Sequence, residues 1–232
     1  MADKTALVVG ASRGIGLGLV KELAGRGWTV IATRRSASTD KGLEAFAKAS
    51  GGKVRLESVD IEEPASIDDL AGRLKGQGLD LVFVNAGISG SHSPAAGMGR
   101  GEVAQVFMTN SVGPVHVAES LQDQVRDGGA IAVMTSGLGS VASDFHLGSG
   151  ANLYSASKAA LNKLTRGFVA ALGDRKITVL NMSPGWVRTD MGGPDASISV
   201  EESAKGLIDV VEAKAGTGQH GFYGHDGKIM PW

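Results

Sequence analysis

Residues 5–16 read Thr5-Ala6-Leu7-Val8-Val9-Gly10-Ala11-Ser12-Arg13-Gly14-Ile15-Gly16. The first half is a short, nearly continuous apolar run, which marks a strand covered on both faces, as strands of parallel sheets are. Three glycines follow within seven positions, and helical periodicity takes over from Ile15 to Gly25. A helix that begins directly after such a loop turns unpaired amides and a partial positive charge toward it. In that arrangement Gly10 permits a tight turn, Gly14 lets a pyrophosphate approach the backbone, and Gly16 lets the helix lie close to the strand. Three glycines carry little weight alone in a chain with 35 of them. Their place between an apolar strand and a helix start favours a dinucleotide cradle over a plain structural turn.

The alternation continues along the chain. Runs rich in Val, Ile and Leu predict strands over 5–9, 28–33, 54–58, 81–85, 130–135, 178–183 and 221–223. Helical patterns predict helices over 15–25, 43–50, 67–74, 102–121, 152–172 and 200–214. Ser199, with Glu202 three residues on, reads as a capping box at the start of the last helix. The expected fold is α/β: one Rossmann-type, doubly wound parallel sheet of about seven strands with helices on both faces. At 232 residues the expected organisation is a single domain, 1–232, without repeats or low-complexity linkers. The irregular stretches 88–101, 137–151 and 184–199 each follow a predicted strand. They should gather at the carboxyl edge of the sheet, where open α/β folds bind ligands.

Composition removes several function classes. With 23 basic and 24 acidic side chains the formal net charge is -1, which gives no footing for nucleic acid or an anionic membrane surface. The absence of cysteine excludes disulfides, thiolate-held metals and a cysteine nucleophile. No apolar run approaches the ~20 residues of a membrane-spanning helix. Met1-Ala2-Asp3-Lys4 leads straight into a short strand, not a secretory signal, so a cytoplasmic location is expected. The five histidines show no metal-ligand spacing, and no metal is expected.

The end of the second strand bears on which dinucleotide is bound. An acid there would hold the 2′-hydroxyl of NAD, whereas an arginine suits a 2′-phosphate. The strand ends Ala32-Thr33-Arg34-Arg35, with no acid before Asp40, and Arg13 in the glycine loop offers a further cation. NADP(H) is therefore the expected cofactor, with Arg34 its phosphate contact.

Tyr154 and Lys158 open a strongly helical stretch, and a spacing of four puts phenol and ammonium on one helix face. Ser136 ends the fifth predicted strand, Asn110 lies in the helix before it, and Asn85-Ala86-Gly87 ends the fourth. All should face the edge that carries the glycine loop. With Pro184-Gly185, Val187 and Thr189 after the sixth strand, this ordered set resembles the short-chain dehydrogenase/reductase family over nearly the whole chain. The compact length, the long 137–151 loop and the closing residues 226–232 are similar to the C-factor-like and sniffer-like carbonyl reductases. Val9 replaces the usual threonine and Val84 a frequent asparagine. The longer interval between Ser136 and Tyr154 leaves Ser140 and Ser143 as rivals for the serine's role.

The resemblance implies an NADPH-dependent carbonyl reductase with Asn110, Ser136, Tyr154 and Lys158 as its tetrad. In it Tyr154 is the general acid or base, Ser136 binds the carbonyl oxygen, Lys158 holds the ribose, and Asn110 anchors a water that relays protons. It further implies cofactor contacts from Gly10, Ser12, Arg13, Gly14, Ile15 and Gly16, from Asp60 and Ile61, from Asn85, Ala86 and Gly87, and from Pro184, Gly185, Val187 and Thr189. For Asp60 a plain helix-entry carboxylate is an equal alternative. A ketone accepts hydride only if its oxygen gains a proton, and bringing a tyrosine from its ordinary pKa near 10 to ~7 takes about 4 kcal/mol. One ammonium about 4 Å away supplies roughly that much at an effective dielectric of ~20. Ile88, Leu138, Phe145, Leu147, Trp186 and Met191 are the apolar choices for a substrate pocket. Two alternatives stay open: a C-factor-type regulatory protein that binds NADP(H) with little turnover, and a ketoacyl-thioester reductase docking on Arg126 and Arg166. The expected partners are a small-molecule carbonyl compound and other copies of the chain, as a homodimer or homotetramer built on 102–121 and 152–172.

Overall fold

The computed structural model describes residues 4–35, 41–144 and 150–232. Seven strands, β1 (Thr5–Val9), β2 (Thr29–Arg34), β3 (Val54–Ser58), β4 (Leu79–Val84), β5 (Val125–Met134), β6 (Thr178–Ser183) and β7 (His220–Gly224), form one sheet. Its order is β3-β2-β1-β4-β5-β6-β7, and every pairing is parallel. Seven α-helices complete the described fold: α1 (Gly14–Gly25), α2 (Lys41–Ala49), α3 (Pro64–Arg73), α4 (Arg100–Phe107), α5 (Gly113–Leu121), α6 (Asn152–Ala171) and α7 (Val200–Lys214).

Strand alternation divides the core between the two faces. β1 sends Ala6 and Val8 to the side packed by Leu19 and Leu23 of α1 and by Leu207 and Ile208 of α7. It sends Leu7 and Val9 to the side packed by Ile67 and Leu70 of α3, Leu121 of α5 and Leu161 of α6. Because β1 pairs with β2 on one side and β4 on the other, the order reverses there. Loops leaving the carboxyl ends diverge at that point and open a crevice. The capping box at Ser199 forms as expected: its hydroxyl accepts from the Glu202 amide at 3.1 Å, and the Glu202 carboxylate accepts from the Ser199 amide at 2.8 Å.

Two elements differ most from the sequence expectation. The single helix expected over 102–121 is instead α4 and α5 joined by a π-helical turn, Met108–Val112. Pro114 has no N–H for the carbonyl of Asn110 four residues earlier, and its ring would crowd that carbonyl. A wider turn relieves both, and such turns frequently sit at functional positions. β5 begins at Val125, five residues before the expected start: Val125 pairs with Leu79 of β4, and Arg126 is held by Asp80 at 2.5 Å. After β7 the chain turns back, and Met230 donates to the Phe222 carbonyl at 2.8 Å, covering the edge of the sheet.

Glycine placement gives a paired test of this packing. A Cβ on Gly16 would drive into the Gly10 carbonyl oxygen and lie 2.7 Å from Asn85 Nδ2, whereas one on Gly167 in α6 would meet nothing within 4 Å. Gly16→Ala should destabilise by ~1–3 kcal/mol, and Gly167→Ala should stabilise by ~0.5–1 kcal/mol through lower backbone entropy. Thermal unfolding of the two variants should show melting shifts of opposite sign.

Candidate active site

The crevice has a volume of about 1150 Å³ and is lined by the glycine loop and by the residues that follow β2, β3, β4, β5, β6 and β7. All three irregular stretches reach it, through Ile88 and His92, through Leu138 and Ala151, and through Trp186 and Met191. Gly10, at φ 82, occupies the left-handed region, and a Cβ there would lie 2.8 Å from Ala86. The loop is tied from both neighbouring strands. Thr33 Oγ1 accepts from the Gly10 amide at 3.2 Å, and Asn85 Nδ2 donates to the Gly10 carbonyl at 2.8 Å. Gly10, Ser12, Arg13, Gly14 and Ile15 line the crevice; Gly16 instead serves the close contact of α1 with the loop.

At the other side of the loop, Arg34 lines the crevice and pairs with Glu44 at 2.7 Å. Arg35 lies 3.9 Å from Glu62, and Arg13 pairs with Asp190 across the crevice mouth. Arginines thus collect where the second strand ends, with carboxylates as their present partners. Asp60 and Ile61 border the same region, but Asp60 Oδ1 accepts from the Glu62 amide at 3.0 Å and shapes its own turn. Asn85, Ala86, Gly87, Pro184, Gly185, Val187 and Thr189 line the remainder of the long wall.

The polar cluster lies midway along. Ser136 follows β5, and its hydroxyl hydrogen-bonds the phenol of Tyr154 and accepts from the Leu138 amide at 3.2 Å. That contact separates it from its rivals: the Ser140 hydroxyl is buried without a partner, and neither Ser140 nor Ser143 lines the crevice. Lys158, only 2% exposed, donates Nζ to the Met134 carbonyl at 2.8 Å and sits 5.7 Å from the centre of the Tyr154 ring. Burial disfavours the charged form of both groups, so Tyr154 is pushed up to about 12 and Lys158 down to about 7. The expected depression of the phenol by Lys158 is therefore corrected.

Asn110 lies in the π turn, fully buried and outside the crevice lining. Its Nδ2 donates to the Ile88 carbonyl at 2.8 Å and to Ser157 Oγ at 3.0 Å, and its Oδ1 accepts from the Ile88 amide at 2.8 Å. Both amide hydrogens are committed, so its side chain clamps the loop after β4 to α6. Among the pocket choices, Ile88, Leu138, Trp186 and Met191 line the crevice, while Phe145 and Leu147 lie outside the described residues. Trp186 and Met191 are each 53% exposed, so an apolar surface faces the opening. The tail adds Met230 and Pro231, from the closing stretch that carries part of the resemblance, and β7 leads into His225, which no motif marked. Thr33 was equally invisible, since its hydroxyl acts on a loop 23 positions away. No group of His, Cys, Asp and Glu among the described residues could hold a metal ion.

The short chain dehydrogenase family matches residues 4–197. A carbonyl reductase of Pseudomonas aeruginosa, solved in complex with NADP, is 37% identical over 100% of both chains with a TM-score of 0.92. The carbonyl reductase Sniffer of Drosophila melanogaster is 28% identical, with a TM-score of 0.89 over 99% of this chain and 100% of that one. C-signal of Myxococcus xanthus is 32% identical over 156 residues, 66% of this chain and 93% of that protein. The chain belongs to the short-chain dehydrogenase family and is an NAD(P)-dependent oxidoreductase.

Proposed function

We propose that the protein is an NADPH-dependent carbonyl reductase. The observation that carries this reading is the Ser136–Tyr154 hydrogen bond beside Lys158, opening on a crevice that starts at the glycine loop. The residues present fit the dinucleotide. Gly10 and Gly14 leave two positions of the loop without a side chain, and a Cβ on Gly87 would lie 3.3 Å from Lys158 Nζ, filling the floor beneath the reaction centre. Arg34 would hold the 2′-phosphate, and Lys158 the ribose nearest the reacting ring. When bound, the reduced nicotinamide supplies hydride to the carbonyl carbon.

Ser136 and Tyr154 then receive the substrate oxygen between their hydroxyls. As negative charge grows on that oxygen, Tyr154 gives up its proton and becomes phenolate. A phenol pushed up to about 12 is fully protonated at neutral pH, which suits it to the reductive direction. Lys158, near 7, takes up or passes on a proton with little free-energy cost and stabilises the phenolate once it forms. Asn110 keeps Ile88 in place at the substrate end. The exposed Trp186 and Met191, together with Ile229 at 78% exposure, favour an apolar flank on the ketone or aldehyde.

The regulatory alternative is favoured by the C-signal likeness alone, and a buried Tyr–Lys pair that costs stability has no use in a pure sensor. The ketoacyl-thioester alternative loses its support: Arg126 is paired with Asp80 at the opposite end of β5 from the crevice, and Arg166 lies 5.5 Å over the Trp232 ring. Homo-oligomerisation on the α4–α5 and α6 faces belongs to the same reading, supported by the exposed Val112 and Leu164.

Tyr154→Phe should lower NADPH oxidation by ~10²–10⁴-fold, as expected for loss of a general acid, with the NADPH Kd within about 2-fold of wild type. Parallel loss of turnover and binding would make the residue structural. Arg34→Ala should raise the NADPH Kd by ~10–100-fold, the weight of one charge-assisted contact, and leave the NADH Kd nearly unchanged. Equal weakening of both cofactors in titrations of intrinsic fluorescence would remove Arg34 from the phosphate site.

A further inference from the structure

Tyr154, Lys158 and Asn162 stand four residues apart on α6 and form one stripe toward β5 and β6. The first two belong to the reaction centre. Asn162, only 4% exposed, donates Nδ2 to the Gly139 carbonyl at 3.1 Å. Its Oδ1 accepts from Asn181 Nδ2 at 3.0 Å, and Asn181, fully buried in β6, places its Oδ1 3.1 Å from His220 Nε2 in β7. Three side chains from three elements thus form one continuous hydrogen-bonded line. It runs from the covered edge of the sheet, where the Trp232 ring lies 5.0 Å from that of His220, to the turn that carries Ser136.

The direction of the line is fixed at its Gly139 end. A carbonyl only accepts, so Asn162 must turn its amino group toward Gly139 and its carbonyl toward Asn181. Asn181 must then give its amino group and present its own carbonyl to His220, which must carry its proton on Nε2. Burial lowers the His220 imidazolium to about 4, so the ring is neutral at pH 7 and has the single proton the line requires. None of the three groups can be reversed without setting like poles against each other in a buried place.

Gly139 closes the 3₁₀ turn Gly137–Gly139 by donating to the Ser136 carbonyl at 2.9 Å. A Cβ on Gly139 would lie 2.8 Å from the Lys158 carbonyl carbon and 2.9 Å from its Cβ, so this turn is pressed directly onto α6. The start of the turn is held separately, by the Gly137 amide donating to Ser183 Oγ at 3.0 Å. Asn162 therefore holds the one end of the turn that Ser183 does not.

We propose that Asn162 and Asn181, backed by His220, are positioning residues that fix the Ser136 turn against α6 and so set the serine hydroxyl on Tyr154. None of the three lines the crevice. Their bearing on turnover rests on the reductase reading; their bearing on the turn does not.

The test uses the full chain and two independent readouts. Asn162→Asp keeps the volume but sets an oxygen against the Gly139 carbonyl. It should speed hydrogen exchange at the Leu138 and Gly139 amides by at least ~10-fold, a loss typical of one buried hydrogen bond. With 9,10-phenanthrenequinone as probe, kcat should fall by about 10-fold while the NADPH Kd stays within about 2-fold. His220→Gln, which restores an N–H near the Nε2 position, should keep most of kcat and of the exchange protection, whereas His220→Phe should lose both. Wild-type exchange in Asn162→Asp, or equal behaviour of the two His220 variants, would overturn the proposal. Should Asn162→Asp fail to fold, the His220 pair decides alone. If wild-type protein does not oxidise NADPH with the quinone, the reductase reading fails, and exchange still decides whether the line holds the turn.

Discussion

An ammonium group is costly to keep away from water, and this site is built around one. Lys158 is almost wholly buried, with the Met134 carbonyl as the acceptor for its Nζ. Two glycines make the enclosure possible: Gly87 beside the ammonium and Gly139 against the lysine backbone, each at a place where a side chain would collide or crowd. The consequence is a lysine near neutrality and a phenol that holds its proton, two groups whose charge states are poised by the same burial. A single charge change in the crevice therefore acts on both.

The topology explains why these groups meet. The strand order reverses beside β1, so the glycine loop and the loop after β4 part from one another and leave a crevice between them. Tyr154 and Lys158 reach it from α6, Ser136 from the end of β5, and Asn110 secures the loop after β4 from the π turn. They come from three different elements, so the geometry depends on the buttresses as much as on the reacting groups. The Asn85 and Thr33 contacts to Gly10, the Asn110 clamp on Ile88 and the Asn162 contact to Gly139 all fix backbone, not ligand.

The parts legible in the sequence were those whose signal is local. An apolar run followed by spaced glycines announces β1, its loop and α1, and a spacing of four places Tyr154 and Lys158 on one helix face. The paired arginines at the end of β2 were equally plain. What stayed hidden depends on contacts between distant segments. Thr33 is an ordinary strand residue until it is set beside Gly10, and Asn162 and Asn181 are ordinary polar residues until α6 lies on β6. The π turn has a local cause in Pro114, but helical periodicity runs through it from 102 to 121 and masks the break. The direction in which the phenol shifts is hidden for a different reason: spacing along a helix gives a shared face, not the burial that raises the phenol.

The central claim is that this pair protonates a carbonyl oxygen while hydride arrives from the cofactor. Absorbance at 340 nm, followed with saturating NADPH and a panel of ketones, aldehydes and quinones, tests it most directly. The account predicts steady loss of absorbance with at least one class, matched mole for mole by the reduced product. Saturable NADPH binding with no oxidation across the whole panel would contradict it.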